Sequence, residues 1–239
     1  MRTAERAARA GPAARRNGRA TGGLRGRDPE RTRARILHAA TREFARHGLG
    51  GARVDRIAAG AGANKRMLYY YFGDKDALFQ AVLEHSYESI RTAEQALNLL
   101  DVDPVEGVAR LVAFTWRYYI AHPEFLTLLN SENLHRGRHL KGSRRIRATN
   151  SPLIATLDEI LSRGVRAGTF RPGVDALQLY ISIAGLSYFY LSNSHTLSAV
   201  FGRELASAAA RAERLAHMTG VITGFLTNTG PAPQPARSG

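Results

Sequence analysis

Lys65, Arg66, Met67, Tyr69 and Tyr70 crowd into one short stretch, and Lys75 follows closely. A lysine or arginine can donate to guanine O6 and N7, and a methionine can touch a thymine methyl. Tyrosine hydroxyls and further cations hold phosphates and set register. Collected on one face of a helix, these groups suit the major groove of DNA. The chain presents little other chemistry at usable spacing. It has no cysteine, which excludes disulfides, thiolate catalysis and cysteine zinc sites. The glycine-rich run 59–65 lacks the spacing of a phosphate loop, and no strand precedes it. Gly185-Leu186-Ser187 is half of a nucleophile elbow, but Phe189 stands where the second glycine belongs. Ser187 therefore reads as a core serine bonded back to its own helix. His135 and His139 are half of a metal site, with Glu132 the one nearby third ligand and Arg136, Arg138 and Lys141 repelling a cation. The reading is no metal, no cofactor and no enzyme, since no nucleophile–base pair stands at recognisable spacing.

The DNA-facing residues need a rigid mount, and the preceding residues describe one. Val54, Ile57, Ala58 and Ala61 recur at helical spacing and make an apolar face. Gly62 then breaks the pattern, as a position needing positive φ does. Asn64 is a good N-cap for a new helix, in which Leu68 and then Tyr71 or Phe72 turn inward. Upstream, Asp28-Pro29-Glu30 is a helix start, with Asp at N-cap and Pro at N1. Ile36, Leu37, Ala40 and Phe44 give that helix a buried face, and Gly48 ends it.

Val54, Ile57-Ala58, Ala61-Gly62, Asn64, Leu68-Tyr69-Tyr70, Phe72 and Lys75 together resemble the DNA-binding motif of the TetR family of bacterial repressors. The resemblance implies that Lys65, Arg66 and Met67 face base edges while Tyr69, Tyr70 and Lys75 hold phosphates. One position departs from the family pattern. Arg53 stands where a Ser or Thr often caps the first helix of the motif, leaving that cap open, although an arginine can still reach a phosphate.

Half of the formal net charge of +14 lies in the arm 1–27, which holds arginines against the single acid Glu5. That arm has too little apolar bulk to order itself, so it reads as a basic tail able to add phosphate or minor-groove contacts. A charge this positive favours a polyanionic partner. The N-terminus has no apolar run of a secretory signal, and the most apolar stretch, 176–191, is too short and too polar to span a bilayer. The expectation is a cytoplasmic protein with no membrane partner.

Helices are expected over about 75–100, 105–121, 123–134, 152–167, 174–192 and 203–226, with 135–147 left open between loop and frayed helix and 193–202 as a link. The fold class is all-α. The expected division is a disordered basic arm 1–27, a three-helix helix-turn-helix domain 28–75, a ligand-binding and dimerisation domain 76–228 and a disordered tail 229–239. The segments 130–143 and 170–205 are similar to ligand-binding domains of TetR-family regulators of aromatic and N-heterocycle catabolism. This implies a homodimer on a near-palindromic DNA operator, released by a small-molecule effector. Trp116, Tyr119 and Tyr188, with Asn133, His135 and Arg138 as polar anchors, are the candidate cavity. Leu186, Phe189, Met218, Ile222 and Phe225 are the candidate dimer contacts. A ligand-independent architectural DNA binder is the alternative, disfavoured by the length of the C-terminal part.

Overall fold

The computed structural model describes residues 28–227. The expectations of a disordered arm at 1–27 and a disordered tail at 229–239 lie outside these residues. Ten helices and no strand are found among the described residues. Helix α1 spans Pro29–Gly51, α2 Val54–Gly60, α3 Lys65–Phe72, α4 Lys75–Gln95 and α5 Pro104–Ala121. They are followed by α6 Pro123–Leu134, α7 Arg144–Arg166, α8 Ala176–Ser192, α9 Ser194–Phe201 and α10 Ala208–Thr227.

Helix α1 starts as read, with the Asp28 carboxylate accepting from Glu30 N and Arg31 N ahead of Pro29. Gly48 breaks it at φ 62°, and the chain resumes one more turn of helix that buries Leu49. Ile36, Phe44, Ile57 and Leu68 fill the core of α1–α3, but that core does not close at residue 75. Leu78, Phe79, Val82 and Leu83 of α4 complete it, and Leu128 of α6 reaches into it. The first turns of α4 thus belong to the N-terminal module, and α4 is the rod that continues into the second domain. At about 1.5 Å per residue, its 21 residues span roughly 30 Å.

In the second domain, α5, α7, α8 and α10 pack around Leu111, Val112, Leu157, Ile160, Ile183 and Met218. Gly164 allows the turn after α7 to fold back, since a Cβ there would stand 2.0 Å from the ring of buried Phe170.

Four expectations are corrected. Helix α4 stops at Gln95 rather than near Leu100, because Asn98 takes φ 47° and turns the chain. Helix α7 begins at Arg144, capped by Ser143, and carries Pro152 in its interior instead of starting there. The link 193–202 contains a helix, α9, which Gly202 ends in the left-handed conformation. The last helix begins at Ala208 rather than near Arg203.

Candidate nucleic-acid interface and effector domain

The turn between α2 and α3 is held from both sides. Gly62 takes φ 57°, and Arg35 of α1 donates to the carbonyls of Ala61 and Gly62. Asn64 caps α3 by accepting from Met67 N at 2.9 Å. On the outer face Tyr70 is 83% exposed and Tyr69 49%. Lys65 and Arg66 are exposed beside them, and Lys65 is ion-paired to Asp55 of α2. The outward residues are therefore four: Lys65, Arg66, Tyr69 and Tyr70. Met67 is half-buried and packs on the module core, so its access to a base is narrower than the sequence implies. Lys75 is half-buried, with Nζ 3.5 Å from the carbonyl of Gly50, at the junction of α1 and α2.

Arg53 precedes α2 without capping it through its side chain. Glu43 of α1 braces this helix start without replacing the cap: Oε1 takes the Arg53 N–H at 2.9 Å and the Arg56 Nε–H at 2.7 Å. Burial pushes the Glu43 pKa up, but the Arg53 N–H and Arg56 outweigh it, and the net shift is downward. The Arg53 side chain is thereby left exposed at the same edge. Neither Arg35 nor Glu43 carries a local sequence signal, because each acts on residues ten or more positions away.

A second polar assembly joins the two domains. Glu132, at the end of α6, is 2% exposed and accepts from His139 N, Leu140 N and His139 Nδ1. The shortest of these contacts, to Nδ1, is 2.6 Å. The opposite ring nitrogen of His139 lies 3.7 Å from Asp76 Oδ1, and Arg138 donates to Asp76 Oδ2 at 3.1 Å. Ser131 Oγ accepts from Leu49 N of α1 at 3.3 Å. The turn 135–143 is thus a strap from α6 to the first turn of α4, immediately after the recognition helix.

The six expected cavity residues do not come together. Trp116 is buried against Tyr190, with ring centroids 5.6 Å apart, and Tyr119 is buried against Phe125 at 5.7 Å. His135 and Arg138 belong to the strap, because α6 packs along α1 and carries its end away from α5. Asn133 is exposed on the same end of α6, and Tyr188 donates to Asn130 Oδ1. The interior polar cluster lies elsewhere: Arg91 and Glu94 of α4 are 4% and 5% exposed, and Arg91 Nη2 donates to Tyr180 of α8 at 3.1 Å. Burial raises the pKa of Glu94 to about 7 against the opposing pull of Arg91, and raises Tyr87 nearby to about 12. Arg91 and Glu94 are both charged residues in a helix, and nothing in their type or spacing shows that they turn inward.

The dimer residues divide. Phe189 and Phe225 are 58% and 40% exposed, and Leu186 is half-buried on the same side. Met218 and Ile222 are corrected to the protomer's own core, since α10 turns them onto α5 and α8. Leu177, Ile181 and Val221 take their place on the exposed side.

This architecture, a capped helix-turn-helix joined by one long helix to a helical domain, defines a DNA-binding transcriptional regulator. The sequence model for bacterial regulatory proteins of the tetR family matches residues 36–82, and that for the tetracyclin repressor-like C-terminal domain matches 104–222. The chain is 44% identical over 193 residues to the transcriptional repressor NicS of Pseudomonas putida, covering 81% of this chain and 91% of that one. It is 48% identical over 113 residues to the repressor SCO4008 of Streptomyces coelicolor, covering 46% and 54%. Among solved structures, the putative regulator SCO4942 of Streptomyces coelicolor superposes with a TM-score of 0.62 at 25% identity, covering 82% and 98%. The chain belongs to the TetR family of transcriptional regulators. Among the described residues no helix is long and apolar enough to cross a membrane.

Proposed function

We propose that the protein is a dimeric repressor that holds a near-palindromic operator through α3 and releases it when a small molecule binds the C-terminal domain. The observation that carries the reading is the outer face of α3, where Lys65, Arg66, Tyr69 and Tyr70 stand exposed on a helix pinned by Arg35 and Asn64. Two-fold related copies of that face meet successive major grooves when the protomers pair about an axis through α8 and α10. Supporting that axis, Leu177, Ile181, Phe189, Val221 and Phe225 form one exposed apolar side. A groove of about 880 Å³ runs between the two helices, floored by Ser182 and Gly185, which leave room for a second helix. Release follows when the effector favours a geometry that fits the operator less well, a coupling of typically about 1–3 kcal/mol.

Gel shifts on operator fragments selected from random sequence test the DNA half of this reading. Lys65→Ala/Arg66→Ala is expected to lose selection, at a cost of about 1–3 kcal/mol for each bidentate base contact removed. Wild-type affinity is expected to fall by roughly 10³–10⁵ between about 50 and 200 mM salt. A salt-insensitive complex would count against the assignment. Light scattering tests the axis: Phe189→Glu/Phe225→Glu is expected to give folded monomers that bind the operator weakly.

A further inference from the structure

A narrow crevice separates the first turns of α1 from the turn that leads into α3. Thr32, Arg35, Gly62, Ala63, Asn64 and Met67 line it, and none of them is an acid. It encloses about 190 Å³, under the roughly 300 Å³ at which small-molecule sites begin. Its polar lining consists of donors with nothing to donate to. Thr41, Thr115 and Thr149 return their hydroxyls to the carbonyl four residues back in their own helices. Thr32 is 9% exposed and does not: its hydroxyl has no hydrogen-bond partner among the described residues. Nor is that oxygen sealed from solvent, in contrast to the orphaned nitrogens of Arg91. Arg35 gives Nη2 to the carbonyls of Ala61 and Gly62, which leaves Nε and Nη1 without an acceptor on an exposed side chain. Asn64 uses Oδ1 to cap α3, so its exposed amide Nδ2 is a donor as well.

A hydroxyl, one side of a guanidinium and an amide, with no carboxylate among them, call for an anion that brings several acceptor oxygens. The positive pole of α3 opens at the same place. Position decides which anion. Asn64 is followed directly by Lys65 and Arg66, so the crevice is continuous with the face that α3 offers to bases. The eight residues of α3 make it about 12 Å long, close to the width of the major groove. Lys75 stands just beyond one end of that helix, and the crevice lies at the other, where the opposite phosphate wall of the groove approaches. We propose that the crevice seats one backbone phosphate of the operator per protomer, held by the Thr32 hydroxyl, Arg35 and Asn64. Arg35 is then a contact as well as a pin, so one side chain both grips the backbone and orients α3. The inference rests on the DNA-binding half of the proposed function.

Operator fragments selected as above, with each backbone phosphate replaced in turn by a neutral methylphosphonate, test it on the full chain. At one position in each half-site wild type is expected to lose at least about tenfold in affinity, the scale of a hydrogen bond to a charged group. Thr32→Val is expected to bind the unmodified operator more weakly, and its further loss at that position is expected to be at least about threefold smaller than wild type's, since contacts to one group do not add. At all other positions the two proteins are expected to respond alike. Thr32→Ser, which keeps the hydroxyl, is expected to restore the wild-type pattern. Ala63→Leu fills the crevice from a half-buried wall and is expected to abolish the sensitivity at that position, which covers the case in which Thr32→Val does not fold. Wild-type affinity in both variants, or one profile of sensitive phosphates shared by wild type and both variants, would overturn the proposal. So would a saturable thermal shift by inorganic phosphate that Thr32→Val abolishes while the operator shows no such coupling, which marks a seat for a free anion. Failure of wild type to select any operator would remove the proposed function as well, whereas loss of the coupling alone leaves that function standing.

Discussion

The N-terminal module and the C-terminal domain place their chemistry in opposite ways. In the module, the polar groups that matter stand outside: Lys65, Arg66, Tyr69 and Tyr70 project from a short helix whose inner side is Leu68. In the C-terminal domain they stand inside: Arg91, Glu94, Glu132 and His139 are all buried. An exposed cation meets a polyanion with little reorganisation and through a screened field. A buried one must be satisfied in every state of the protein, so moving its partners carries a large penalty. The first arrangement suits contact with DNA, and the second suits a protein that has to hold distinct shapes.

The largest expected effect that sharpens this contrast is at the strap. Glu132→Ala strands the N–H groups of His139 and Leu140 together with the His139 ring. Chemical denaturation is expected to show a loss of about 3–5 kcal/mol, the scale for breaking one side of a buried charged network. Arg66→Ala, on the outer face, is expected to leave stability within about 0.5 kcal/mol. Equal losses in the two variants would erase the distinction between the regions.

A smaller effect concerns pH. Burial raises Glu94 to about 7 from an ordinary value of 4.5. The folded state then binds more protons than the unfolded state between these values, so stability is greatest below about 4.5 and falls as pH rises through about 7. Glu43, lowered by Arg53 and Arg56 against the pull of burial, has the opposite sign: its contribution is present above 4.5 and lost as pH falls below it. Melting temperatures of Glu94→Gln are expected to lie flat between pH 5.5 and 8, where wild type declines. A wild-type profile that rises across that interval would contradict the assignment.

The smallest expected effect is at Asp55, whose exposed carboxylate holds Lys65 in the free protein. Asp55→Asn is expected to tighten operator binding by no more than about 1 kcal/mol, the scale of a surface pair, with no change in melting temperature.

The same division explains what the sequence disclosed. Gly62 and Asn64 act on neighbours within a few residues, so their types and spacing announce the turn, and the structure places both as expected. Trp116 and Tyr119 have the composition of a cavity wall, but type alone does not separate a wall from a plug, and both are plugs. Arg91 and Tyr180 lie 89 residues apart and Asp76 and Arg138 62 apart. Such pairings arise from tertiary packing and leave no periodic trace. Met218 and Ile222 were apolar at helical spacing, which fixes that a helix side is buried without fixing whether its own chain or a second one covers it.

The strap also bears on how this protein can change over generations. Glu132 grips the backbone of residues 139 and 140, and every amino acid except proline offers the same N–H there. Arg138, His139 and Ser143 are held by side-chain contacts of their own, so the freedom to drift falls mainly to Arg136 and Lys141, while the acid at 132 is fixed by backbone and ring alike. Related regulators are expected to vary at 136 and 141 yet keep a carboxylate at the root of the turn, so that its surface diverges without the two domains losing their hold on each other.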